Sequence, residues 1–140
     1  MTIREILIKV LKEEGNIKSN FLDFETQVGE NEGNNIPHFH LDNKEIGNKQ
    51  KKTSIRLDIP YYFLHGDKRY ILNSKERKEL VKWLNEKPSE GVLPDKNGEK
   101  PKTNWQALVN VWNIYYPQAM VSCNMPNYSI LSCDYNLKKY

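Results

Sequence analysis

The sequence predicts an α+β fold: a small, mostly antiparallel sheet with about three helices packed on one face. Three observations carry this. Thr53 to Ile59 alternates cleanly, with Thr53, Ile55, Leu57 and Ile59 on one side and Ser54, Arg56 and Asp58 on the other, the period of a half-buried strand. Three other segments repeat apolar residues at helical spacing behind a capping residue. Prolines and glycines punctuate the boundaries.

Taken in order, a first helix is expected from Thr2 to Glu14. Thr2 caps it, Glu5 completes a capping box, and Ile3, Ile6, Leu7, Val10 and Leu11 form one stripe ended by Gly15. Residues 17–28 read as extended, with Phe21, Leu22 and Phe24 as apolar content, followed by a polar loop from Gly29 to Asn35. Ile36 to Asp42 is the next strand, with Pro37 marking its start or an edge. A basic connection covers 43–52, and Pro60 ends the strand that follows it. Tyr61 to Leu64 is extended again, His65, Gly66 and Asp67 make a turn, and Arg69 to Leu72 return as a short strand. Asn73 caps a second helix, with Glu76 at the capping-box position, Leu80, Val81 and Leu84 on the apolar face and Trp83 at its margin. Residues 87–102 hold Pro88, Gly91, Pro94, Gly98 and Pro101 and are expected to form a mobile loop. A third helix follows Thr103, running from Asn104 to Tyr115 with Trp105, Leu108, Val109 and Trp112 as its stripe, and Pro117 closes it. One last strand is expected near Tyr128 to Cys133.

The 140 residues suit a single domain, 1–140. Mean hydropathy is low at −0.78, but 3 Trp, 8 Tyr and 4 Phe can close a core that the aliphatic residues would leave thin. No apolar run approaches the roughly 18 residues a transmembrane helix needs. The N-terminus has acids in its first turns and no small-residue cleavage site, so a cytoplasmic chain is expected. The net charge of +3 conceals an asymmetry: residues 1–43 hold 4 basic against 8 acidic side chains, and 44–140 hold 17 against 10. A basic second half suits an anionic partner, although well-spread lysines also make an ordinary solvated surface. Duplex DNA is not favoured, because there is no recognition-helix motif and no dense arginine face. Cys123 and Cys133 read as two reduced thiols, and alone they supply too few ligands for zinc.

The chemistry gathers on one strand face. His38 and His40 are two apart, so both leave the side opposite Phe39 and Leu41. If the strand at 53–59 is their neighbour, an open face collects His38, His40, Ser54, Arg56 and Asp58, with Asp58 roughly 7 Å along from Arg56 and an imperfect partner for it. Three uses compete with histidines that only satisfy backbone or carboxylate partners. One is a metal site of His38, His40 and Asp58, suited to a small hydrolase or nuclease. Another is acid–base or nucleophilic histidine chemistry, for which no complete signature is present. The third is binding without chemistry: Arg56 offers a planar fork to a phosphate or carboxylate, and tyrosines such as Tyr62 can stack on a base. That third use is the sequence's main prediction, a non-enzymatic protein for a nucleotide or phosphorylated small molecule. Its ligand-binding set is His38, His40, Arg56, Asp58, Tyr62 and His65, and no cofactor is identified. An exposed aromatic sheet face also predicts a homo-oligomer.

The order Pro37-His38-Phe39-His40, Arg56-Leu57-Asp58, Tyr62-Phe63-x-His65-Gly66, Leu72 to Leu80, Trp83-Leu84, Asn104-Trp105, Trp112-Asn113 and Met125-Pro126-x-Tyr128 resembles uncharacterised small proteins of gut bacteria and their phages. More distantly it is similar to a bacterial domain-of-unknown-function family with a Pro-Pro-His-Phe-His strand. This chain departs from that family in having Ile36 before Pro37, a longer basic loop and the insert at 87–102. The resemblance implies a phage or bacterial origin. With it come a role in sequestering a host signal or blocking a host defence protein, or a toxin–antitoxin-like interaction module.

Overall fold

The computed structural model describes residues 24–29, 35–43, 51–88, 94 and 97–133. They form a sheet of five strands in the order β1 (Phe24–Gln27), β2 (His38–Asn43), β3 (Lys51–Arg56), β4 (Tyr61–Tyr62) and β5 (Ser132–Cys133). β1 to β4 pair antiparallel, and β5 joins β4 in parallel. Between β4 and β5 come the helices α1 (Ser74–Asn85) and α2 (Asn104–Tyr115) and a 3-10 turn at Tyr128–Ile130. The architecture is thus α+β with a mixed sheet. The helix expected at Thr2 to Glu14 lies outside the described residues. Among those described, no helix is long and apolar enough to cross a membrane.

Register decides which side chains share a face. Phe39 stands opposite Ile55, Leu41 opposite Thr53, His40 opposite Ser54 and His38 opposite Arg56. Ile55 in turn faces Tyr62. One face therefore carries Phe39, Leu41, Ile55 and Tyr62, all buried. The histidines, Ser54 and Arg56 lie on the other.

Pro37 has no N–H to give this ladder. The Leu57 N–H still bonds to Pro37 O at 3.0 Å, but the return bond to Leu57 O has no backbone donor. The indole of Trp105, at the start of α2, supplies it, with Nε1 donating to Leu57 O at 3.2 Å. One proline just before β2 thus creates the acceptor that docks α2 at the end of β3.

The helices begin where their caps predict. Asn73 Oδ1 accepts the Glu76 N–H at 2.8 Å, while Glu76 Oε1 accepts the Asn73 N–H at 2.9 Å. Thr103 Oγ1 accepts the Gln106 N–H at 3.1 Å. The end of α1 is tied to the start of α2, because Asn104 donates its Nδ2 to Trp83 O and its backbone N–H to Glu86 O. α2 buries residues nearly all round, including Trp105, Leu108, Val109, Val111 and Trp112, so it is the central helix.

Three extended segments fall short of expectation. β3 stops at Arg56 and the chain bends through Leu57–Pro60. Arg69 to Leu72 form no strand: Tyr70 N–H reaches Lys52 O, and Leu72 N–H reaches the Tyr62 hydroxyl instead. Tyr128 to Ile130 wind into the 3-10 turn, leaving only Ser132–Cys133 as strand. The mobile loop expected at 87–102 is only partly within the described residues, and there it is irregular, with Pro101 buried.

Candidate metal centre

His38 and His40 leave β2 on the same side, as their spacing requires. The third member comes from beyond β4. Lys68 N–H bonds to His65 O at 2.9 Å and closes a tight turn in which Gly66 takes φ +56°, a left-handed conformation that glycine adopts without a Cβ penalty. Asp67 fastens the turn to β3 through Lys52, whose Nζ lies 3.5 Å away. The charges of Lys52 and then Lys68 hold the Asp67 carboxyl below its usual range.

The turn brings His65 over β3 to the two histidines of β2. One ring nitrogen from each of His38, His40 and His65 lies within 4.8 Å of the other two. The chain contains 3 histidines, so all of them converge here. Two are oriented by the same device. His38 Nδ1 donates to Ile36 O at 2.6 Å and His65 Nδ1 to Phe63 O at 2.9 Å, each a carbonyl two residues back. A carbonyl only accepts, so both Nδ1 atoms carry the hydrogen. This is the outer-shell anchoring typical of metal-bound histidine.

His38 Nε2 and His40 Nε2 stand 3.1 Å apart. Two lone pairs at that distance repel unless a hydrogen or a cation lies between them. Nitrogens on a tetrahedral zinc are about 3.3 Å apart, given Zn–N bonds near 2.05 Å. A hydrogen on one of the two rings makes this a hydrogen bond, and the spacing is also close to that of two ligands on one ion.

The surroundings are aromatic and polar together. His38 is 1% exposed. Its ring lies 4.7 Å from that of Phe63 and 5.7 Å from that of Trp112. Trp112 in turn stacks on Tyr116 at 3.9 Å. The histidine face is thus covered around His38 rather than left to water, because α2 and the residue after β4 fold over it. The open-face argument for a homo-oligomer loses its basis at this spot. Ser54 Oγ, opposite His40, and Asp42 Oδ1 are buried and make no hydrogen bond among the described residues; the same holds for Thr53 Oγ1 on the core face.

The other residues singled out from sequence are placed differently. Arg56 and Asp58 meet in a two-pronged pair, Nε to Oδ1 and Nη2 to Oδ2, both 2.9 Å. The imperfect pairing expected of them is corrected: the bend after Arg56 folds Asp58 back onto the guanidinium. Among the described residues Asp58 is not in the ligand group, and His65 stands where it was expected. Tyr62 is buried on the opposite face with its hydroxyl accepting the Leu72 N–H, and burial pushes that phenol up to about 12. Cys123 and Cys133 are free and exposed.

Comparison with family models, curated proteins and solved structures yields no match.

Proposed function

We propose that this protein binds a divalent transition-metal ion through His38, His40 and His65 and, at the position the ion has left, an anionic ligand of the phosphate class. The convergence of the chain's three histidines within 4.8 Å carries the reading. Imidazole suits zinc, cobalt, nickel and copper, and three protein ligands leave a four-coordinate ion one exchangeable position.

The test is titration of metal-free protein with Co(II), read by its visible bands and by calorimetry. One ion per chain with four-coordinate bands is expected. Losing an outer-shell partner costs roughly 10–100-fold in affinity, so His40→Ala or His65→Ala should cost more than about 100-fold, while Asp58→Asn keeps the ion. With free metal at about 100 times Kd, the ion should add about 2.7 kcal/mol to stability, lost on adding chelator. A flat titration, or no change in Tm with chelator, rejects the reading.

The same three neutral ligands and open position favour a second reading, activation of water for hydrolysis. Turnover of an activated phosphate ester by the zinc form, abolished in His65→Ala, distinguishes it from binding alone.

A further inference from the structure

Ser54 is fully buried, and its hydroxyl makes no hydrogen bond among the described residues. Such a group is rare in a folded interior, because its desolvation goes uncompensated. Its position is informative. Ser54 stands directly opposite His40 in the β2–β3 register and so shares the histidine face. The Leu57 N–H bond to Pro37 O marks 37/57 as a hydrogen-bonded pair. Counting in twos, 39/55 and 41/53 are of the same kind, and 40/54 is one of the closer pairs in which side chains approach most nearly. Phe63 and His65 reach the same face from the segment after β4, Phe63 through its N–H to Ser54 O at 2.8 Å. The serine thus lies at the base of the three-histidine cluster.

We infer that Ser54 is a binding residue for the exchangeable ligand of the metal centre, its Oγ–H donating to an oxygen of a bound oxyanion. The inference rests on the metal reading above and sharpens it by naming the ligand class, an oxygen anion such as a phosphate or carboxylate. The hydroxyl can give one hydrogen to an anion and cannot use a pseudohalide as well. It adds no charge, so it tunes ligand choice without altering the ion's own affinity. Alanine at this position removes one oxygen and keeps the Cβ, so the backbone ladder at Phe63 N–H to Ser54 O is untouched.

The experiment uses the Co(II) form of wild type and Ser54→Ala, titrated with inorganic phosphate and, separately, with thiocyanate, both read in the visible spectrum. The variant should bind cobalt within about twofold of wild type. Its phosphate affinity should fall by about tenfold or more, as expected for a lost hydrogen bond to a charged acceptor. Thiocyanate affinity should barely change. Wild type alone gives a second readout, a preference for phosphate over thiocyanate that Ser54→Ala abolishes. Cobalt bands that phosphate perturbs equally in both proteins, or not at all in wild type, overturn the role of Ser54 and leave the metal reading standing. Absence of cobalt bands in wild type overturns both.

Discussion

At Arg56 the guanidinium spends two of its donors on one carboxylate, and the two side chains are 18% and 30% exposed. A two-pronged pair this sheltered is worth more than a surface ion pair. Arg56→Ala strands the Asp58 carboxylate, with an expected loss of about 1–2 kcal/mol in urea denaturation. Arg56→Lys should recover less than half, because an ammonium has no fork. Unchanged stability in Arg56→Ala would show that Asp58 is not its purpose. The sequence made the need for a partner legible, since a mid-strand arginine cannot swing away. It could not show that Asp58 suffices, because that depends on the bend after Arg56. Likewise His-x-His declares a shared face; the sequence puts His65 in the ligand-binding set but offers Asp58, not His65, as the third metal ligand of the pair. Proximity across two turns belongs to tertiary structure.

At the scale of elements, the start of α1 is a heavily bonded junction. Glu76 closes the capping box, accepts the Tyr70 hydroxyl at 2.6 Å, and pairs with Lys51 of β3 at 3.2 Å. Burial pushes its carboxyl up. The bonds from Tyr70, Asn73 and Lys51 outweigh this and hold it below the ordinary value of 4.5. Its folded-state pKa is depressed, so the stability it adds is present above the unfolded pKa and disappears as pH falls through the folded one. Glu76→Gln should therefore lose about 1–3 kcal/mol at neutral pH, and the gap to wild type should close in denaturation curves run at successively lower pH. The junction was half legible: Asn73 and Glu76 spell a cap, but the tie to β3 requires the fold. Helix bounds came through because caps are local chemistry. Strand ends did not, because β3 stops where a bend and the Pro37 gap dictate.

Across the described residues, side chains as well as strand ladders join the parts. Trp105 fills the place of the donor missing at Pro37, Asn113 holds residue Val121 by both backbone groups, and the Tyr128 hydroxyl donates to Arg56 O. Much of the recognisable sequence string is therefore mortar between segments. Trp105→Phe should cost about 1–3 kcal/mol by leaving Leu57 O unpaired, and the cost should shrink in a Pro37→Ala background, where a backbone N–H returns. A double-mutant cycle showing no coupling would disprove the link. The order of the chain adds a consequence for the proposed ion. All three imidazoles lie between His38 and His65, whereas the indole of Trp112 that covers His38 belongs to α2. During synthesis the strands leave the ribosome before their roof exists. An ion bound as proposed could meet all three histidines before α2 is made; of the three only His38 is buried in the finished fold, so α2 shelters one ligand and leaves the other two half-buried.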